Sequence, residues 1–300
     1  MTVPSDPQVE RLLVIHNPTA GRRRGRFLHD VLADLRGRGI AVTLRPTTGP
    51  GDARRLARDA DTAAFDAVAV AGGDGTINEA INGLVARPDR HRLPMALIPM
   101  GTANVLAAEI GLECRAADVA AAIAGGRRRR IHLGRANGRL FVMMAGVGFD
   151  AHVVATVSPR LKRALGKAAF VWQSLVAMAR FPFPTYGVVI DGQRHDAASA
   201  VIANGHFYGG RFTCAPAARL DDGLLHVCLF TRPGAWSAFQ YAAALVLGRL
   251  DRMSSVRVVP ARAVEIAGPD RDPVQGDGEI VGHLGLKVAV AEETLDLIVP

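Results

Sequence analysis

Four carboxylates stand in glycine-bracketed turns. Asp74 lies in Gly72-Gly73-Asp74-Gly75-Thr76-Ile77-Asn78-Glu79, and Asp222 in Leu220-Asp221-Asp222-Gly223-Leu224-Leu225. Asp277 and Glu279 share Gln275-Gly276-Asp277-Gly278-Glu279. The glycines of the first turn let the backbone bend sharply and approach a ligand, and a helix that follows offers free N–H groups and a positive dipole end. Such a turn favours phosphate. Asp74 would repel an anion there, unless Mg²⁺ bridges carboxylate and phosphate or the carboxylate takes a proton from an attacking hydroxyl. Taken alone, the stretch is equally an ordinary strand-to-helix turn with Asp74 as its N-cap, and Asp222 and Asp277 are equally plain turn residues. No Gly-Lys-Ser/Thr ending is present, which excludes a P-loop.

Two further turns repeat the logic. Asn17-Pro18-Thr19-Ala20-Gly21 follows one apolar run, and Pro99-Met100-Gly101-Thr102-Ala103-Asn104 follows another.

The elements that must carry these turns alternate in type through the first 130 residues. Strands are predicted at Leu12–Ile15, Ile40–Leu44, Ala67–Ala71 and Ala96–Pro99. Between them run helices with Phe27, Leu28, Val31, Leu32 and Leu35 on one face, then Ala53, Leu56, Ala57 and Ala60, then Ile77, Ala80, Ile81 and Leu84. Such alternation with short connections predicts an α/β layer with a mainly parallel sheet, whose ligands gather at the carboxyl ends of the strands. After Gly125 the pattern becomes β-rich. An Asn137-Gly138 hairpin signal precedes Leu140–Met144. Further strands are predicted at Tyr186–Ile190, Ala200–Ala203, Leu224–Phe230, Val256–Val259, Ala263–Ile266 and Leu286–Val290, with a last one at Leu295–Val299 free to join either half. The expected fold is therefore an α/β N-terminal domain, residues 1–130 and completed by 291–300, plus a mainly antiparallel β-sandwich domain at 131–290.

Read together, these blocks resemble the diacylglycerol kinase and sphingosine kinase superfamily of lipid kinases, especially its bacterial soluble members. Gly146-Val147-Gly148-Phe149-Asp150-Ala151 is similar to the family's GxGxDA element, and Tyr208-Gly209-Gly210, Ala215-Pro216 and Leu220–Leu225 to its next block. The resemblance implies an ATP-dependent, Mg²⁺-requiring transfer of phosphate to a hydroxyl of diacylglycerol, a sphingoid base or a related lipid, in a cleft between the two domains. It implies nucleotide contacts from Asn17, Pro18, Thr19, Ala20 and Gly21, from Thr47, from Gly72, Gly73, Asp74, Gly75, Thr76, Ile77, Asn78 and Glu79, and from Thr102. Asp277 and Glu279 become the catalytic carboxylates, with Glu279 the general base and Asp74 beside the transferred phosphate. A structural magnesium is implied at Asp222, with the carbonyls of Arg219 and Leu224. Phosphoryl transfer is largely positioning and charge neutralisation, which such a set can supply. Two positions depart from the family pattern: Val105 stands where bacterial diacylglycerol kinases often carry an aspartate, and His132 where one is common. His132 reads as a strand residue. The alternatives are an NAD kinase-like enzyme, which shares the GGDGT turn, and a lipid- or nucleotide-binding regulator without catalysis.

Composition narrows the classes further. The 300 residues are 49% hydrophobic and 21% charged, which excludes intrinsic disorder. Net charge is +8, and all of the bases except Lys162, Lys167 and Lys287 are arginines. They are dispersed apart from Arg22–Arg24 with Arg26 and Arg127–Arg130, with no zinc-finger spacing or RNA-binding aromatic motif, so nucleic acid is not an expected partner. Cys114, Cys214 and Cys228 suit a reducing compartment, and no secretory signal precedes the first strand. The expected location is cytoplasmic, peripheral at the inner membrane face. The expected partners are a lipid substrate and, transiently, a membrane surface, with a homodimer left open. Leu161–Ala179 and Trp236–Leu250 read as apolar helices, with core packing the first reading of both and a bilayer contact the alternative.

Overall fold

The computed structural model describes residues 8–21, 25–87, 93–156, 178 and 180–300. The expected helix over Leu161–Ala179 and the basic run Arg22–Arg24 therefore lie outside the described residues, apart from Met178. The chain forms two compact units, Met1–Ile131 with Glu293–Pro300, and His132–Glu292.

The first unit is a parallel α/β layer. Its strands are β1 (Arg11–His16), β2 (Ala41–Pro46), β3 (Ala67–Gly72) and β4 (Met95–Pro99), paired in the order β2-β1-β3-β4. Every one of these pairings is parallel. β3 and β4 are buried along their whole length, as continuous apolar runs in a parallel sheet covered on both faces must be. Helices α1 (Gly25–Gly37), α2 (Asp52–Arg58), α3 (Asp74–Val85), α4 (Val105–Glu109) and α5 (Ala116–Gly125) make the connections. The apolar stripes named from the sequence face inward: Leu28, Val31, Leu32 and Leu35 on α1, and Ile77, Ala80, Ile81 and Leu84 on α3.

The second unit is an antiparallel sandwich. It opens on β5 (Arg128–Ala136) and β6 (Arg139–Phe141), joined through Asn137 and Gly138, both at positive φ (45° and 85°) as a tight hairpin requires. Then come β7 (Met144–Val147), helix α6 (Phe149–Thr156), β8 (Tyr186–Ile190), β9 (Gln193–Ala197), β10 (Ser199–Ala203) and the short ribbon β11 (Phe207–Tyr208) and β12 (Phe212–Thr213). The remainder is β13 (Leu225–Phe230), helix α7 (Ala235–Val246), β14 (Val256–Ala261), β15 (Ala263–Ala267), β16 (Pro273–Gly276), β17 (Glu279–His283) and β18 (Leu286–Ile298), whose last residues, from Glu293, belong to the first unit and pair in parallel with β4 at Leu297 and Met95. One sheet runs β18-β15-β8-β9 and the other β14-β13-β10-β7-β16-β17. Alternate residues of the two, among them Tyr186, Val188 and Ile190 against Leu225, Val227 and Leu229, close one apolar core.

Three expectations change. The strands expected at Leu286–Val290 and Leu295–Val299 are one 13-residue strand. The residues between them, 291–294, simply continue the pleat. Leu140–Met144 is two strands, because the backbone leaves the ladder at Val142 and Met143. β16 and β17, rich in glycine and polar residues, had no periodic signal to reveal them. No helix among the described residues is long and apolar enough to cross a membrane.

Candidate active site

In the first unit the expected nucleotide turns are tied to one another. Asn17 ends β1. Its Nδ2 donates to Thr76 Oγ1 at 2.9 Å, while its Oδ1 accepts from the Thr19 N–H (2.9 Å) and hydroxyl (2.8 Å). Pro18 and Thr19 are exposed, Ala20 closes back on the Asn17 carbonyl at 3.1 Å, and Gly21 takes φ 59°. Thr47, at the end of β2, donates its N–H to the His16 carbonyl at 2.8 Å.

The other two turns meet glycine to glycine. A Cβ on Gly101 would stand 2.7 Å from the Gly73 Cα and 2.8 Å from Asn104 Oδ1, so the backbones close to this distance only without side chains. Asp74 locks the same contact. Its carboxylate accepts from the N–H groups of Asn104 (3.0 Å) and Val105 (2.8 Å), so it caps α4, the helix of the neighbouring turn, and not its own. Burial raises the pKa of Asp74, and these backbone bonds offset part of the rise. Asn104 holds the left-handed φ of 50°, and its buried Oδ1 has no hydrogen-bond partner among the described residues. Thr102 is exposed beside it.

The stretch Gly72–Glu79 divides by orientation. Gly73, Gly75 and Thr76 are only partly covered. Ile77 is 2% exposed and belongs to the core, so its side chain cannot reach a nucleotide. Asn78 is buried and accepts from Asn82 Nδ2 at 3.0 Å. Glu79 accepts the Gly51 N–H at 3.0 Å, fixing the start of α2. These three residues support the turn. A phosphate would meet the amides at the start of α3.

In the second unit, Asp277 and Gly278 form the β16–β17 turn, both at positive φ (50° and 81°). Asp277 Oδ2 accepts from the Val142 N–H at 2.8 Å, and Oδ1 from the Met143 (2.8 Å) and Met144 (3.1 Å) N–H groups. Asn204, only 1% exposed, satisfies the other side of this segment. Its Nδ2 donates to the Val142 carbonyl at 2.7 Å and its N–H to the Met143 carbonyl at 2.8 Å. The Met144 carbonyl takes the Asp277 N–H at 2.9 Å. Every backbone polar group of the ladder break is thereby paired. Both oxygens of Asp277 are thus committed to backbone.

Glu279, next along, is about half exposed (49%), with Arg139 at 3.9 Å. Behind the turn, Gly278 donates to Gln275 Oε1 at 2.9 Å, Gln275 Nε2 donates to Asp150 Oδ2 at 2.8 Å, and the Tyr208 hydroxyl donates to Asp150 Oδ1. Burial raises the pKa of Asp150 against these two bonds. The chain of bonds explains the Gly146–Ala151 motif, for a Cβ on Gly146 would meet Asp150 Oδ2 at 2.6 Å. Asn204 and Gln275 have no signal of their own in the sequence, because each serves residues more than 60 positions or one turn away.

The expected metal segment is a separate turn of this unit. Asp222 is exposed and accepts the Leu224 N–H at 3.0 Å, while the Arg219 guanidinium pairs with Asp221 at 3.0 Å. His132 lies in β5 as read, donates its N–H to the Leu220 carbonyl at 2.7 Å, and sets its ring beside Gly223. Among the described residues no cluster of three or more His, Cys, Asp or Glu side chains could hold a metal. An ion at this turn would therefore rest on one carboxylate and backbone carbonyls. That all-oxygen set suits magnesium.

Two family models match this chain. Residues 11–136 match the diacylglycerol kinase catalytic domain, and residues 143–299 the YegS C-terminal NAD kinase beta sandwich-like domain. A protein named as a probable YegS-like lipid kinase from Pseudomonas aeruginosa (strain UCBPP-PA14) is 35% identical over 229 residues, spanning 74% of this chain and 72% of its own. The diacylglycerol kinase of Bacillus subtilis (strain 168) is 28% identical over 283 residues, 92% of each chain. A diacylglycerol kinase structure from Bacillus anthracis str. Sterne shares the fold, with a TM-score of 0.78 at 23% identity over 98% of this chain and 99% of that one. The chain belongs to the diacylglycerol kinase-like family of lipid kinases.

Proposed function

We propose that this protein transfers the γ-phosphate of ATP to the primary hydroxyl of a glycerolipid of the diacylglycerol type, with Glu279 as general base. The observation that carries the reading is the joining of the β1, β3 and β4 turns in the first unit through Asn17–Thr76, Gly73–Gly101 and Asp74–Asn104/Val105. Such a triple turn offers backbone amides and threonine hydroxyls to a polyphosphate, as phosphoryl transfer demands.

In this reading Asn17, Gly73, Gly75, Thr76 and Thr102 orient the phosphates. Asp74 keeps the neighbouring turns in register and is a positioning residue. A lipid alcohol holds its proton tightly, so Glu279, half exposed and not locked into the backbone, accepts it as the oxygen attacks phosphorus. Asp277 holds the turn that presents Glu279. Asp222 with the carbonyls of Arg219 and Leu224 would hold a magnesium ion, which when bound supplies positive charge that stabilises the loop. The protein works at a membrane surface, where its acceptor resides.

Incubating the protein and [γ-³²P]ATP with a total lipid extract, with purified diacylglycerol and with NAD tests the reading. A labelled phosphatidic-acid spot is expected. Label in NADP alone would establish the rival kinase, and label in neither would establish a non-catalytic binder.

A further inference from the structure

Helix α7 breaks the rule that apolar helix faces turn inward. At about 100° per residue, Trp236, Phe239, Ala243, Val246 and the following Leu247 fall within one arc of about 100°. Four of them are open to solvent: Trp236 at 68%, Phe239 at 48%, Val246 at 64% and Leu247 at 67%. Trp236 and Phe239 stack, ring centroids 5.5 Å apart. The opposite face is the one that packs. Ala238 is buried, the Tyr241 ring lies 5.0 Å from Phe230, and its hydroxyl donates to the Ser255 carbonyl at 3.3 Å while accepting the Arg232 N–H at 3.1 Å. Core packing, the first reading of this helix from sequence, therefore holds for one side only.

Charge selects what covers the other side. From Gly223 to Leu250 the chain has no Asp or Glu, Asp251 beyond it is followed at once by Arg252, and Arg232 and Arg249 stand exposed just beyond the two ends of the helix. A second copy laid on this face about a two-fold axis would oppose arginine to arginine, whichever way the helices ran, with no acid in the segment to answer them. A surface that is apolar inside and anionic at its rim answers both features. We propose that α7 is an interfacial docking helix. It seats Trp236, Phe239, Val246 and Leu247 in the headgroup–acyl boundary of an anionic bilayer and places Arg232 and Arg249 against lipid phosphates. The inference rests on the lipid-kinase reading for its purpose and stands on its own for its geometry. Within the same unit α7 packs against β12, and the ribbon partner of β12 carries Tyr208, which bonds to Asp150. The docking helix and the turn bearing Glu279 thus share one frame.

The test is vesicle flotation of the full chain with pure phosphatidylcholine and with about one-third phosphatidylglycerol, at low and high salt. The parent should float with the anionic vesicles and lose binding as salt rises. Trp236→Ser/Phe239→Ser should weaken partition by about tenfold or more, and Arg232→Glu/Arg249→Glu by a similar factor on anionic vesicles alone. Equal flotation of parent and Trp236→Ser/Phe239→Ser, or no flotation of the parent, overturns the proposal. So does a parent that sediments as a dimer, with the same variants monomeric. Activity on acceptor dispersed in detergent should be alike in parent and variants, which keeps the two readings apart. Vesicle binding without phosphorylation of any lipid would sink the kinase alone, and phosphorylation of dispersed lipid without vesicle binding would sink the docking helix alone.

Discussion

Asp277 provides the sharpest test, because its geometry and its expected role differ. A catalytic carboxylate needs a free oxygen, yet both oxygens of Asp277 accept backbone N–H groups, three in all. Each hydrogen bond to a charged acceptor contributes about 1.5–3 kcal/mol. The segment is partly buried, so water would re-pair some donors after truncation, and Asp277→Ala should cost about 3 kcal/mol overall. For a unit of this size each kcal/mol moves the midpoint by about 2–4 °C, so melting followed by circular dichroism should fall by about 6–12 °C. Asp277→Asn keeps one carbonyl oxygen for the Met143 and Met144 N–H groups but turns its NH2 against the Val142 N–H, so it should lose less than the alanine variant while still melting below the parent. Turnover falls in both, in step with the loosened turn, since a shift of about 1 Å in a reacting group costs about a hundredfold. If Asp277→Ala melts within about 1 °C of the parent while Asn and Ala variants are equally dead, the clamp is wrong and Asp277 acts on the substrate directly.

Glu279→Gln should lower kcat by about 10²–10⁴ with an unchanged melting temperature and unchanged ATP affinity, measured by steady-state kinetics and nucleotide titration, because the side chain is half exposed. Gly101→Ala places a methyl 2.7 Å from the Gly73 Cα, so the two turns must part. ATP affinity should drop about tenfold or more by calorimetry, with a stability loss of about 1–3 kcal/mol. Asp150 has a raised pKa in the folded state, so the folded protein holds this proton more tightly than the unfolded chain. Its effect on stability is full below the unfolded value of 3.8 and is lost as pH climbs through the raised value. Parent melting temperature should therefore decline relative to Asp150→Asn as pH rises from below 4, and parallel curves would refute the assignment.

Much of the site lies in local pattern. Strand, glycine turn and helix follow one another within a few residues, and the period of apolar side chains reports which face of each will be covered. The turns after β1, β3 and β4 and the two-unit plan were legible for that reason. The motif Gly146–Ala151 was visible but mute, since its meaning lies in Gln275 and Tyr208. Ile77 and Glu79 show the converse: they belong to the stretch by sequence, but one is buried in the core and the other holds the Gly51 N–H.

By itself, then, the chain's order of residues determined where the backbone turns and which helix faces are covered, because glycine conformation and helix periodicity are properties of neighbours. Only the tertiary structure decided what each carboxylate does. Asp74 meets Asn104 and Val105, and Asp277 meets Val142–Met144, across more than 130 positions in the second case. It also decided that one side of α7 stays bare. Hydrogen-bond partners and burial depend on what folding brings alongside, and no local periodicity encodes that.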